Sequence, residues 1–187
     1  MTRARSVPAP LVWNVSGLLA EDPGATRDYE VAGVTIDLGE DLRLADPIEG
    51  HVRLSRTNRG LLVAADLRTS LQAECSRCLR EIEVPIEVRI EEEALPSIDL
   101  QSGLPVAPQP GGEDEPLRLT DHHELDLETP VREAIQLEEP IAALCREDCP
   151  GLCPVCGNPL DEGTHEHPDD DIDPRLAALK GFKPDES

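Results

Sequence analysis

The sequence predicts an α+β fold that is mainly β, with an antiparallel β meander or small barrel-like sheet, a C-terminal helix and a Cys-rich metal-knuckle tail. Two observations carry this prediction. Apolar and polar residues alternate over residues 61–75 and again over 82–90, which is the pattern of strands with one buried face. After Thr129 the apolar residues recur at helical spacing instead.

Ahead of the first alternating run, the chain predicts shorter strands joined by turns. Residues 11–36 contain two extended pieces on either side of a polar turn, residues 21–24. Residues 51–55 alternate again, and residues 57–60 (Thr-Asn-Arg-Gly) have the composition of a hairpin turn. Residues 51–55 and the two longer runs together predict an antiparallel meander.

A proline interrupts the second alternating run. Pro85 cannot donate a ladder hydrogen bond, so residues 82–90 are predicted to form an edge strand or a strand with a bulge. The two long runs flank Cys75-Ser76-Arg77-Cys78, which therefore lies at the tip of a hairpin. Ligands at a hairpin tip can meet ligands from a distant part of the chain.

Composition divides the chain into three predicted parts. Residues 1–95 form the β domain with the Cys-x-x-Cys hairpin tip. Residues 96–116 contain five prolines, three glycines and no basic residue, and they predict a flexible acidic linker or long loop. Residues 117–187 hold a short extended piece, a helix, the cysteine- and histidine-rich segment and a short C-terminal helix.

The two helices of the last part are predicted from their end signals. For the first, Thr129 is suited to the N-cap and Pro130 to the first helical position, and Pro140 ends the helix. The second begins with Asp173 as N-cap and closes at Gly181.

Six cysteines are grouped as in metal knuckles. Two lie in the pair at 75 and 78, and four follow between 145 and 156, with a His-x-His pair soon after. In the Cys-Pro-Val-Cys-Gly sequence of residues 153–157, proline stiffens the turn and glycine lets backbone N–H groups reach the sulfurs. The candidate metal ligands are Cys75, Cys78, Cys145, Cys149, Cys153, Cys156, His165 and His167. The alternative is a set of free, reduced cysteines.

Eight candidate ligands predict one or two structural zinc ions, because Zn²⁺ accepts four Cys or His ligands and a structural site is closed by protein. The favoured partition joins the pair at 75 and 78 with Cys145 and Cys149, and leaves a local site of Cys153, Cys156, His165 and His167. A second partition holds one ion with the four cysteines between 145 and 156. A third joins the two Cys-x-x-Cys pairs, as a zinc ribbon does. An ion that closes the long loop from 78 to 145 would make metal binding part of folding.

The net charge of −22 restricts the possible partners. Nucleic-acid binding depends on cations that neutralise phosphates, so a surface this acidic disfavours broad contact with RNA. It suits a basic partner, such as a ribosomal protein, although solubility alone also explains it. The arginines at 53, 56, 59, 77 and 80 are near one predicted hairpin region and would allow a small local RNA contact.

The sequence favours a non-enzymatic, cytoplasmic protein without a membrane segment or small-molecule substrate. No apolar run has the length of a signal peptide or a membrane span, and thiols of the cytoplasm stay reduced and available to metals. Neither Cys-x-x-Cys pair has the βαβ setting of a thiol-redox site. There is no HExxH or HxE…PCxxC pattern and no phosphate-binding loop. A thiol-redox or metal-dependent enzyme is the less favoured alternative.

The order of these features resembles the YceD family, the large ribosomal RNA subunit accumulation proteins. The most specific matches are CxRCL at residues 75–79 and CxxDCxGLCPxCG at residues 145–157. The other matching segments lie within residues 14–29, 71–75, 125–135 and 173–179. In many relatives a Cys-x-Cys pair stands where this chain has His165-Glu166-His167. Imidazole can replace thiolate at zinc, so the difference keeps the ligand chemistry.

The resemblance implies a factor that promotes synthesis, processing or stability of 23S rRNA during assembly of the large ribosomal subunit. Its expected partner is a large-subunit precursor or, given the charge, a basic ribosomal protein, with indirect or local contact to rRNA. A zinc-binding adaptor for another basic partner is the alternative.

Overall fold

The fold is mainly β, as predicted, in the computed structural model, which describes residues 11–99, 102–106, 117–161, 163 and 175. Eight strands and two helices lie in these residues. They are β1 (Val12–Asn14), α1 (Ser16–Leu19), β2 (Thr26–Val34), β3 (Arg43–Leu44), β4 (Ile48–Arg56), β5 (Leu61–Glu74), β6 (Glu81–Leu95), β7 (Leu117–Arg118), β8 (Glu124–Asp126) and α2 (Glu128–Leu137).

Six of the strands form one open sheet. Five of them follow the order β2-β4-β5-β6-β7, and β3 pairs with β5 next to the N-terminal end of β4. Every pairing is antiparallel except that of β6 with β7, and β1 and β8 form a separate antiparallel pair. The predicted meander is thus confirmed. The barrel-like closure is wrong for the described residues, because β2 and the two-residue β7 at the two ends of the sheet do not pair.

The β5–β6 hairpin is the longest element and supports the cysteine knuckle. Its register runs without a shift from Leu61 opposite Ala94 to Glu74 opposite Glu81. The odd-numbered residues of β5 from 61 to 71 are buried, which confirms the face predicted from the alternation. Because Pro85 stands in register opposite Ser70, the bulge alternative is wrong. Beyond β5, the described part of β6 pairs only with β7 at its last two residues, so most of β6 is an edge.

Helix α2 begins two residues earlier than the sequence signals suggest. The N-cap is Leu127, and the Glu128 N–H donates to Asp126 Oδ1 at 2.9 Å. The Asp126 side chain therefore accepts the N-terminal hydrogen bond that was expected of Thr129, and Thr129 lies inside the first turn. The helix ends at Leu137, three residues before Pro140.

One apolar core joins the sheet to the segment that follows residue 117. It contains side chains from the strands together with Leu119, Leu125, Leu127, Val131 and Ile135. The helix therefore packs on the sheet with its buried face. The division of the chain at residues 95 and 117 stays a prediction.

Part of the predicted linker has regular local structure. Ile98 forms an antiparallel bridge with Pro105, and the Val106 N–H donates to the Ser97 carbonyl at 2.8 Å. The predicted helix from Asp173 lies outside the described residues, Arg175 excepted. No helix in the part of the chain described here is both long and apolar enough to cross a membrane.

Candidate metal centre

Four cysteines from two distant parts of the chain converge at one end of the sheet. The Sγ atoms of Cys75, Cys78, Cys145 and Cys149 all lie within 4.8 Å of one another. The Cys75 and Cys149 sulfurs are 3.8 Å apart, and so are those of Cys78 and Cys145. All four are free thiols.

This geometry suits a tetrahedral metal ion. With a zinc–sulfur bond of about 2.3 Å, the sulfurs of a tetrahedral site are about 3.8 Å apart. Cys75, Cys78 and Cys149 are buried and Cys145 is half-buried, so the protein encloses the centre. The four-cysteine cluster can therefore hold a metal ion in a closed site.

The first two ligands are held by the turn at the tip of the β5–β6 hairpin. The Cys75 N–H donates to the Arg80 carbonyl, and the Leu79 N–H donates back to the Cys75 carbonyl, both at 2.8 Å. Leu79 has a φ of +57°, a left-handed backbone conformation that residues other than glycine adopt only at an energetic cost. The turn points both sulfurs the same way, toward the segment that follows α2.

The other two ligands are brought in by hydrogen bonds from that same turn. The Ser76 N–H donates to the Ala143 carbonyl at 2.8 Å. The Arg77 guanidinium donates to the carbonyls of Glu147, at 3.2 Å, and Cys149, at 2.9 Å. The arginine inside the Cys-x-Arg-Cys sequence therefore positions the second ligand pair. This role was not among the sequence predictions, although the arginine within the Cys-x-Arg-Cys motif pointed to it.

The thiols differ in pKa. The backbone N–H of Cys145 contributes most to lowering the pKa of Cys75 to about 6, against the opposing effect of burial. The hydrogen bond with the Cys149 thiol, followed by burial, raises the pKa of Cys145 to about 12. At Cys78 the Arg80 N–H favours the thiolate, but burial and neighbouring thiols outweigh it and raise the pKa. A divalent cation would remove the cost of placing further thiolates here.

Cys153 and Cys156 form a second turn with the same backbone bonding. The Cys153 N–H donates to the Asn158 carbonyl and the Gly157 N–H to the Cys153 carbonyl, both at 2.8 Å. Gly157 has a φ of +74°, matching Leu79 of the first turn. Cys153 is buried and Cys156 is exposed. The second pair thus has the backbone of a metal knuckle but lies outside the four-cysteine cluster.

This second knuckle is docked against the first centre. Leu152 and Pro159 form an antiparallel bridge that closes the knuckle's hairpin. The Asp161 carboxylate at its end lies 3.3 Å from the guanidinium groups of both Arg80 and Arg146. Gly151, at a φ of +82°, passes close to the first turn, where an added Cβ would lie 3.1 Å from the Arg77 carbonyl oxygen.

Of the eight predicted ligands, the structure brings together the four of the favoured first site. The rival partitions, which place Cys153 and Cys156 beside another cysteine pair, do not occur among the described residues. His165 and His167 lie outside the described residues.

The five arginines proposed for a local RNA contact do not form one patch. Arg53, Arg56 and Arg59 are near the β4–β5 turn, whereas Arg77 and Arg80 are at the other end of β5. The 14 residues of β5 separate the two groups by about 45 Å. All five also bond within the chain, to carboxylates or backbone carbonyls. The predicted single patch is therefore wrong.

Comparison with known proteins identifies related sequences. A protein of Mycobacterium bovis is 32% identical over 184 residues, which cover 95% of this chain and 84% of the relative. A Mycobacterium tuberculosis protein gives the same values, and one from Mycobacterium leprae is 30% identical over 185 residues, or 96% of this chain and 80% of the relative. All three are described as uncharacterized proteins. No solved structure matches the chain.

A family model extends over more than half of the chain. It is described as large ribosomal RNA subunit accumulation protein YceD, and it matches residues 63–183. The match includes nearly all of the β5–β6 hairpin with the first knuckle, helix α2 and the whole cysteine-rich segment. The chain therefore belongs to the YceD family of large ribosomal RNA subunit accumulation proteins.

Proposed function

We propose that this protein is a non-enzymatic, zinc-stabilised ribosome-biogenesis factor that promotes synthesis, processing or stability of 23S rRNA. The family name carries the ribosomal part of the proposal, since it assigns a role in accumulation of the large-subunit RNA. The enclosed four-cysteine cluster is the observation that carries the structural part. For this activity we expect the protein in the cytoplasm, where the ribosome is assembled.

The closed centre favours a structural ion over a catalytic one. A catalytic zinc keeps one position open for water or substrate, whereas four protein thiolates complete a tetrahedral structural site. At this centre the Arg77 guanidinium donates hydrogen bonds to backbone carbonyls of the segment that carries Cys145 and Cys149. Zinc bound here would lock the segment that follows α2 onto the hairpin tip, and its chemical contribution would be cross-linking.

A second zinc ion at Cys153 and Cys156 forms part of the proposal, with His165 and His167 as the remaining ligands. The support is the backbone of the second knuckle, which repeats the bonding of the first. The short chain distance from 156 to 165 also allows both histidines to return to the same ion. Together the two sites would use all eight predicted ligands.

The expected partner is a large-subunit precursor, engaged through a basic ribosomal protein. The net charge of −22 opposes wide contact with RNA, and the arginines needed for a direct RNA patch are dispersed and engaged within the chain. An acidic protein instead attracts cationic protein segments, which themselves bind rRNA. The protein would hold such a segment until it reaches the precursor.

Depletion in the host tests the function. We expect loss of the protein to lower 23S rRNA selectively, measured against 16S rRNA in the same cells. Re-expression of the intact chain should restore the ratio. An unchanged ratio would contradict the ribosomal role and leave a zinc-binding adaptor for another basic partner as the function to test.

Metal content of the purified full-length chain tests the centres. We expect about two zinc ions per chain by elemental mass spectrometry, one for each set of four ligands. One ion would remove the second site, and none would contradict both.

A further inference from the structure

An open cleft with a mainly acidic lining lies beside the four-cysteine centre. Its volume is about 930 Å³, and three parts of the chain surround it. One side is formed by residues 41–43, the floor by the adjoining ends of β5 and β6, and the other side by residues 139–143 after α2.

The side chains around the cleft are strongly acidic. Five carboxylates line it against a single base, Arg43. The acidic residues are Asp41, Glu74, Glu81, Glu83 and Glu139. All five are exposed, and none has an ion-pair partner within the described residues. The cleft therefore has a concentration of negative charge that the described part of the chain leaves uncompensated.

The arrangement of this charge opposes the stability of the hairpin. Glu74 and Glu81 face each other directly across the β5–β6 pair. Like charges in that position repel each other and destabilise a strand pair. A cationic group bound between them would relieve the repulsion, so the hairpin tip favours a positively charged occupant.

An apolar side chain stands on the rim of the same cleft. Ile141 is fully exposed, with a relative accessibility of 106%, and Leu137 at the end of α2 is 85% exposed. Both precede the first ligand of the segment that follows α2. An aliphatic residue of a bound chain could cover Ile141, while basic residues of that chain meet the carboxylates.

The spacing of the acidic residues indicates an extended occupant. Glu81 and Glu83 lie on one face of β6, about 7 Å apart by strand geometry. Lysine or arginine at alternate positions of an extended segment has the same spacing. RNA has the wrong charge for this surface.

We propose that this cleft binds an extended, lysine- or arginine-rich protein segment that carries an aliphatic residue for contact with Ile141. The proposal rests on the function proposed above and identifies where the basic partner docks. The metal centre would help to shape the cleft, because the Ser76 N–H bond to the Ala143 carbonyl fixes the 139–143 wall against the hairpin tip. Metal removal should then weaken the docking.

The test measures binding of a labelled probe peptide to the full-length, zinc-loaded chain by fluorescence anisotropy. The probe is a peptide of about 12 residues in which lysine alternates with serine around one central leucine, at a salt concentration of about 50 mM. The test variant is Glu81→Lys/Glu83→Lys, and the matched control is Glu30→Lys/Glu92→Lys. Both pairs are exposed strand residues, and both change the net charge equally.

We expect the cleft variant to weaken probe binding roughly tenfold or more and the control by less than about threefold. Zinc content must stay at the wild-type value in both, which shows that the centre is intact. Ile141→Ser should weaken binding further, whereas Leu62→Ser, an exposed leucine at the far end of β5, should not. Equal effects of the two charge variants, or no binding to the wild-type chain, would overturn the proposal.

The rRNA measurement separates this inference from the proposed function. A selective fall of 23S rRNA on depletion, with equal effects of the two charge variants, would overturn the cleft and keep the ribosomal role. Specific loss of probe binding in the cleft variant, with an unchanged rRNA ratio, would keep the cleft and overturn that role.

Discussion

Replacing Cys149 by serine should release the segment after α2 without unfolding the sheet. Cys149 is buried, and its sulfur lies 3.8 Å from that of Cys75. A neutral serine hydroxyl is a poor zinc ligand, so the change should break the tetrahedral set and the cross-link that depends on it.

The structure sets the size of this effect. Cys78 and Cys145 are 67 residues apart, and closing a free loop of that length would contribute about 4 kcal/mol by the chain-entropy relation used for cross-links. Most of the intervening chain is already held, because β6, β8 and α2 pack in the core up to Ile135. The centre newly restrains only the stretch from 135 to 145, and for about ten residues the same relation gives about 3 kcal/mol.

Hydrogen exchange and tryptophan fluorescence together measure the effect. The Ser76 amide, bonded to the Ala143 carbonyl, should exchange about 100-fold faster in the variant, since 1.4 kcal/mol corresponds to a factor of ten. Trp13, the single tryptophan, packs on the core beside Tyr29, so its fluorescence reports global unfolding in urea. The global free energy of unfolding should fall by a similar amount, about 3 kcal/mol, because local opening and global unfolding both start from the native state that the ion stabilises.

Cys156→Ser is the matched control, because Cys156 is exposed and lies outside the four-cysteine cluster. It should leave the Ser76 exchange rate unchanged. A Cys149→Ser variant whose Trp13 transition shifts by much more than about 3 kcal/mol would contradict a role limited to the segment after α2, because the sheet itself would then depend on the ion. An unchanged Ser76 exchange rate would refute the cross-link itself.

Three further substitutions test the packing of the sheet and the docking of the second knuckle. Gly50→Ala should lower the free energy of urea unfolding by more than about 3 kcal/mol, because the added Cβ would lie 2.2 Å from a backbone oxygen of β5. Gly39→Ala is the control: its Cβ would stand in open space, so it should cost only the backbone strain of about 1–2 kcal/mol. Leu54→Ala, in the core of the sheet, should cost about 2–5 kcal/mol, and the exposed Leu62→Ala less than about 1 kcal/mol; equal costs would contradict the assigned faces. Asp161→Asn should speed amide exchange in the second knuckle by up to about tenfold, because it removes the charge shared by two arginines; an unchanged rate would mean that this contact does not dock the knuckle.

The strands of the hairpin could be predicted because their signal is local. The alternation over 61–75 and 82–90 depends only on the two-residue period of a strand, and β5 and β6 follow it. Helix α1 was not predicted, since four residues are too few for a helical period to be visible. The start of α2 was displaced because Asp126, outside the expected cap position, accepts the hydrogen bond.

The sequence by itself determined which residues can bind a metal, because thiols in closely spaced pairs are recognisable without a fold. It also determined the acidic character and the family membership, which depend on composition and motif order. Only the tertiary structure decided which cysteines share a site, since Cys78 and Cys145 meet through a hairpin tip and a segment 67 residues away. The tertiary structure likewise separated the arginines and gathered the acidic residues of the cleft, because distances between side chains depend on strand pairing and not on sequence spacing.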